Sequence, residues 1–419
     1  MMVMKIKPTM RQMEFQEWEF GIFLHFGIRT YYEGHRDWDG EQMPAEVFNP
    51  EKLDCDQWIK TAKNAGMNYS VFVAKHHDGF ANWPSKYTDY SVASTPWKGG
   101  KGDVVLEYVN ACRKYGMRTG VYYSPADASL EKTVKSGKEY DDYFIGQIGE
   151  LLTGYGKIDV LWFDGCGSEG HRYDWKRIIA EIRKMQPEIL IFNMGDPDFR
   201  WVGNEAGIAP SPCWNVVDSV PFSVLTDKKE YLEEEGFCWL PAECDCRMRL
   251  ENWFYSEKDE NTVKSLDELM GIYYYSVGRG ANLLLNIGPD RRGLLPEIDT
   301  QRLTEFGDEI KRRFSNPIAT LNDCKVEEGK WKYTPSVPVL LDHVVIKEDL
   351  AKGENVKRFR ITINPYPGGE AIVVYEGGNI GHKAICRFPT AKVTGISFEV
   401  LEWDESPSIC GMEFFYTGK

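Results

Sequence analysis

The stretch YSVFVAK, residues 69–75, decides how the chain folds. Its apolar residues fill consecutive positions instead of alternating with polar ones. A strand of this kind is buried on both faces, as in a parallel sheet covered by helices. The flanking sequence agrees. Upstream, DQWIKTAKNAG (56–66) has helical spacing and stops at Gly66, a residue suited to the C′ position. Downstream, VVLEYVNACRKYG (104–116) repeats the pattern and stops at Gly116.

The alternation continues in both directions. GIFLHFG (21–27), RTGVYYS (118–124), DVLWFDG (159–165), ILIFNMG (189–195), FCWLPAECD (237–245) and NLLLNIG (282–288) read as strands. KEYDDYFIGQIGELLTGYG (138–156), YDWKRIIAEIRKMQ (173–186), SLDELMGIYYYSVGRG (265–280) and PEIDTQRLTEFGDEIKRRF (296–314) read as helices. So many strand–helix units in one segment favour a (β/α)8-like barrel of the TIM type over an open doubly wound sheet. No G-x-G-x-x-G follows the first strand, and GGKG near Lys101 lacks the ending of a phosphate loop. After Asn316 and Pro317 the segments become short and alternating, and Gly, Pro and Asn punctuate them. The expected division is a catalytic barrel at 1–315 and a C-terminal β-sandwich at 316–419.

Composition bounds the function. The chain has 419 residues, 42% hydrophobic and 27% charged, which is globular and excludes long disorder. Its 50 basic residues against 64 acidic ones leave a formal charge of −14 with no basic run. Nucleic acid and anionic membrane surfaces are therefore not expected partners. No apolar run approaches the roughly 20 residues of a membrane helix. The N-terminus, MMVMKIKPTM, lacks the apolar core of a secretory signal, so the expected location is cytoplasmic, or that of a mature protein whose signal has been removed. The 10 cysteines make no disulfide framework, and Cys244 with Cys246 is their only close pair. Aromatic residues reach 13%, with 13 Trp and 22 Tyr, which suits either a large aromatic core or stacking on sugar rings.

In a barrel the chemistry lies where strands end. Those ends carry His25, the run Lys75-His76-His77-Asp78-Gly79, Tyr122-Tyr123-Ser124 with Asp127, and Trp162-Phe163-Asp164-Gly165. Next come the loop Arg200-Trp201-Val202-Gly203-Asn204-Glu205 and the set Trp239, Glu243, Asp245. Asp164 directly follows an apolar strand, so it is desolvated yet reachable; the alternative is a helix N-cap. Glu205 is a second carboxylate on the next loop; the alternative is a solvated glutamate. Two such groups flank one bond in glycoside hydrolysis, and the charge of Asp164 would raise the pKa of Glu205. A metal is not expected. Adjacent histidines on a strand point to opposite faces, and the usual ligand spacing is missing. Hydrogen bonding to hydroxyls, or burial in the core, remains open for His25, His76 and His77.

These residues also resemble a known family. GIFLHFGIRT, AKHHDGFANWPSKYTDYSV, GVYYSP, LWFDG and FRWVGNE are similar to α-L-fucosidases of glycoside hydrolase family 29. DGEQMPAEVFNP, KGDVVLEYVNACRKYGM, VKSLDELMGIYYYSVGRGANLLLNIGPDRRG and VPVLLDHVVIKEDLAKGENVKRF are similar to its B subfamily, which prefers α1,3/4-linked fucose. The resemblance implies a barrel followed by a β-sandwich, retaining hydrolysis of a fucosylated glycan, and no cofactor. It implies Asp164 as nucleophile and Glu205 as acid/base. It assigns substrate binding to His25, Trp38, His76, His77, Tyr122, Trp253 and Arg200, the last in the acid/base loop either as a pocket contact or as a positioning residue. Two departures stand out. Asp37 replaces a longer glutamate, and Ala126 replaces a tryptophan, which is expected to open one side of the pocket. Two other readings are a catalytically silent fucose-binding protein and a hydrolase for another sugar such as an α-galactoside.

Overall fold

The computed structural model describes residues 6–34, 36, 39–130, 137–168, 170–231 and 236–418. Eight strands form its first sheet: β1 (Phe20–Leu24), β2 (Tyr69–Lys75), β3 (Arg118–Tyr123), β4 (Val160–Phe163), β5 (Leu190–Phe192), β6 (Arg200–Trp201), β7 (Ala242–Arg247) and β8 (Asn282–Asn286). All neighbours are parallel, in the order β5-β4-β3-β2-β1-β8-β7-β6. A single parallel bridge, Phe192 to Phe199, closes the ring between β5 and the approach to β6. Helices α2 (Cys55–Asn64), α3 (Val104–Tyr115), α4 (Gly137–Gly154), α5 (Trp175–Met185), α6 (Leu266–Tyr275) and α7 (Glu297–Phe314) cover the outside, while α1 (Met10–Trp18) precedes β1.

Local chemistry sets the element ends. Asp54, Asp103, Asp174 and Ser265 cap the N-termini of α2, α3, α5 and α6, each accepting a backbone N–H. Gly116 ends α3 in the left-handed conformation, as expected. Phe15 and Trp18 of α1 join Phe23, Tyr69, Tyr122, Trp162, Phe192, Phe199 and Trp201 in the aromatic interior of the barrel.

The expected strand at 237–245 is divided. Cys238–Trp239 pairs with Val216–Val217 outside the barrel, and only Ala242–Arg247 enters it. Pro241 lies between them and has no N–H to extend a ladder. The sixth barrel strand is instead the pair Arg200–Trp201. No helix among the described residues joins β5 to β6. From β6 to β7 the chain runs through a hairpin, Ser219–Ser223 with Thr226–Tyr231.

Helix α7 ends at Phe314, and the first strand beyond it begins at Ala319. Two antiparallel sheets follow, of four and five strands, packed around Leu341, Val344, Phe359, Ile361, Phe398 and Phe414. Val345, Ile385 and Phe415 of this sandwich share one core with α6 and α7. Among the described residues, no helix is long and apolar enough to cross a membrane.

Candidate active site

The C-terminal ends of the barrel strands surround a pocket of about 620 Å³. His25, His76, His77, Tyr122, Asp164, Glu205 and Trp253 all line it. Trp38, and Asp37 beside it, lie outside the described residues.

Asp164 follows β4 and is anchored through both oxygens. The Tyr122 hydroxyl donates to Oδ2 at 2.9 Å, and the Cys166 N–H donates to Oδ1 at 2.8 Å. Nε2 of His77 is 3.6 Å from Oδ2. The carboxylate does not cap α5, which is the role of Asp174. Gly165 is required by a close approach. A Cβ there would sit 2.2 Å from the Phe222 carbonyl oxygen, on the hairpin that leans over the pocket.

Glu205 stands on the loop after β6. That loop is tied down by the Val202 N–H on the Glu243 carbonyl at 2.9 Å and by an Ala206–Cys246 bridge. Burial pushes the Glu205 carboxyl above its ordinary pKa, and the nearby Asp164 charge adds to the rise. The Arg247 guanidinium, 3.5 Å away, and a hydrogen bond from Trp253 oppose it. The same guanidinium lies 5.3 Å from the centre of the Trp253 ring, so one arginine braces two pocket residues.

The histidines have defined donors and acceptors. Asn286 donates its amide N–H to the Trp253 carbonyl at 2.7 Å, which turns its Oδ1 toward His25. His25 therefore donates from Nδ1 over 2.7 Å and keeps a lone pair on Nε2. Burial holds this imidazole neutral, with a pKa lowered to about 3. His76 is also buried and pushed well below 6.5, and its Nδ1 has no hydrogen-bond partner. His77 shares a 2.6 Å hydrogen bond with Ser124. The His76 and His77 rings lie only 4.2 Å apart, and both line the pocket. The expectation that they face opposite ways fails because β2 ends at Lys75 after a register shift, so strand alternation no longer applies to them.

One expected contact needs correction. Arg200 does not line the pocket. Adjacent residues of a strand point to opposite faces, and here Trp201 takes the inner one. Arg200 points outward and donates to the Trp214 carbonyl at 3.1 Å. Ala126 does not line the pocket itself. It faces Gly167 in the turn after Asp164, where an added Cβ would be 3.1 Å from its own Cβ.

Several pocket residues were not assigned a role from sequence: Asp245, Trp201, Phe222 and Val224, and also Arg247 and Asn286, which brace Glu205, Trp253 and His25. The run AECDCR did carry a signal for two of them. Glu243, Asp245 and Arg247 alternate with Ala242, Cys244 and Cys246, so one polar column faces inward. Among the described residues, no group of three His, Cys, Asp or Glu side chains is arranged to hold a metal ion.

Known proteins are similar to this chain in both sequence and fold. The family model described as alpha-L-fucosidase matches residues 4–313, which span the whole barrel. The chain belongs to the alpha-L-fucosidase family. It is a glycoside hydrolase with the α-L-fucosidase activity of that family. Alpha-L-fucosidase 1 of Arabidopsis thaliana is 33% identical over 418 residues, covering 91% of this chain and 81% of the relative. A glycoside hydrolase 29 family member from a rumen bacterium superposes with a TM-score of 0.87 at 32% identity, covering 99% of this chain and 78% of that one. A Ruminococcus gnavus GH29 fucosidase in complex with fucose gives 0.84 at 26%, covering 98% and 95%.

Proposed function

We propose that this fucosidase is exo-acting and retaining, and that it releases terminal α1,3/4-linked L-fucose from oligosaccharides or glycoconjugates. The observation that carries the mechanism is that two carboxyl groups share one pocket in contrasting surroundings. Asp164 is held by donors that favour its charge, and Glu205 is held toward its acid form.

In the first step an Asp164 oxygen attacks the anomeric carbon. The bond to the leaving oxygen breaks, and Glu205 gives that oxygen its proton. In the second step Glu205 takes a proton from water, whose oxygen attacks the same carbon and frees Asp164. The expected carboxyl separation is about 5–5.5 Å. The Nε2 lone pair of His25 accepts a sugar hydroxyl proton, and His76 and His77 serve neighbouring hydroxyls. The aromatic walls, Phe23, Trp162, Phe192 and Trp253, suit a sugar that carries a methyl group where galactose carries a hydroxymethyl. The linkage rests on the B-subfamily resemblance alone.

The test is fucose release from an α1,3/4-fucosylated trisaccharide beside an aryl α-L-fucoside, with wild type and Asp164→Ala. Proton NMR of the first-formed sugar should show α-fucose. Release of β-fucose would overturn the retaining mechanism. Activity surviving in Asp164→Ala would overturn the nucleophile. An inert trisaccharide beside a hydrolysed aryl fucoside would overturn the linkage.

A further inference from the structure

Two polar atoms inside the pocket have no hydrogen-bond partner and no part in the mechanism above. One is Nε1 of Trp201, and the other is Oδ1 of Asp245. Their residues are 7% and 4% exposed, and both line the pocket. Both side chains come from the interior face of adjoining strands, since β6 and β7 pair through Arg200–Ala242 and Trp201–Glu243. The Trp201 indole is near enough to the Asp245 carboxyl to favour its charge slightly, but the two do not meet in hydrogen-bond geometry. A buried donor and a buried acceptor left open are costly, so an occupant that satisfies both is favoured.

We propose that Trp201 and Asp245 form a hydroxyl-binding position beside Glu205, filled during turnover by an O–H group. The oxygen of that group accepts from the Trp201 indole and gives its own hydrogen to Asp245 Oδ1. The inference rests on the retaining fucosidase reading of the same pocket. The surroundings fix the form of Asp245. Its neighbours Glu243 and Glu205 are carboxyl groups, and burial together with these two raises its pKa well above the ordinary value. These surroundings favour the neutral acid, whose carbonyl oxygen accepts, and an asparagine side chain can imitate that acceptor. The O–H belongs either to the bound sugar or to the water that attacks the glycosyl-enzyme.

The experiment compares wild type with Asp245→Leu, Trp201→Phe, their double variant and Asp245→Asn. The substrate is an aryl α-L-fucoside with a good leaving group, and free fucose serves as inhibitor. Asp245→Leu and Trp201→Phe should each lose about 10- to 100-fold, because one partner of a buried bridge is left unpaired. The double variant should lose little more than either single one, because the bridge is already broken. Asp245→Asn, which keeps the acceptor, should recover most of what leucine loses.

If the O–H is the sugar's, kcat/KM falls and the inhibition constant for fucose rises by the same factor. If it is water, kcat/KM and fucose inhibition hold, kcat falls, and a burst of aryl alcohol marks accumulating glycosyl-enzyme. Additive losses, or an asparagine variant as weak as leucine, would indicate packing alone and overturn the proposal. Unchanged kcat, kcat/KM and inhibition in Trp201→Phe, the mildest change, would overturn it too. A wild type inactive on fucosides would instead overturn the fucosidase reading, and this inference with it.

Discussion

Replacing Glu243 by glutamine removes an ionisation that the barrel interior opposes. Glu243 is fully buried, and its carboxyl accepts from Trp162 Nε1 at 2.8 Å and from the Tyr69 hydroxyl at 2.7 Å. Burial nevertheless pushes its pKa from 4.5 up to about 7. An acid raised on folding binds its proton more tightly in the folded state, so it costs stability as pH climbs through that window. Below 4.5 both states are protonated and the cost is absent. Above 7 it is complete. A tenfold change in proton affinity corresponds to about 1.4 kcal/mol, so the full cost is about 3 kcal/mol.

Glutamine reproduces the neutral acid, with one acceptor edge and one donor edge. Glu243→Gln should therefore match wild type at pH 4 and exceed it by about 3 kcal/mol at pH 9, roughly 4 °C in Tm for a chain of this length. Urea and thermal unfolding across that range measure the difference. A gap that does not change with pH, or a glutamine variant weaker throughout, would refute the reasoning.

Three further outcomes are expected. Tyr122→Phe keeps the stacking on Trp162 and His76 but loses the donor to Asp164, the leaving group of the second step in the proposed mechanism. Its kcat should fall about 10- to 100-fold in a fucoside assay while Tm holds. Gly165→Ala drives a methyl group into the Phe222 carbonyl; thermal unfolding should register a loss on the order of 1–3 kcal/mol together with reduced kcat/KM. Lys75→Met strands Asp127, whose side chain is as fully buried as that of Lys75 and whose Oδ2 lies 2.8 Å from its Nζ. Urea unfolding should show a loss of about 3–5 kcal/mol.

The parts of this fold that were legible in sequence are those whose signals are local. Continuous apolar runs such as YSVFVAK declare burial on both faces, and capping residues declare helix starts. The pocket residues at strand ends were legible for the same reason, since a strand's end marks the barrel's mouth. Helix α1 was not legible. Its buried side includes Gln12 and Gln16 as well as Phe15 and Trp18, because Gln12 donates to the carbonyls of Asp198 and Trp239. Such a face shows no clean apolar period. Strand β6 was hidden because two residues carry no period at all, and its identity depends on β7 lying beside it. For the same reason the sequence did not show that Arg200 turns away from the pocket while its neighbour Trp201 turns in.

The closure between β5 and β6 has a dynamic consequence. Beyond the Phe192–Phe199 bridge, two side chains stand in for missing ladder bonds. Asn193 Oδ1 receives the Trp201 N–H at 3.1 Å, and Asp198 Oδ2 receives the Ile191 N–H at 2.9 Å. Arg183 of α5 holds Asp198 from outside at 2.7 Å. The amide protons of Ile191 and Trp201 therefore depend on side-chain anchors, whereas those in the middle of the sheet depend on neighbouring strands. In heavy water these two should exchange ahead of their counterparts on β1 and β2, by local opening rather than global unfolding. Each such opening would part the wall of the pocket between Phe192 and Trp201, a fluctuation confined to the seam where side chains replace strand ladder.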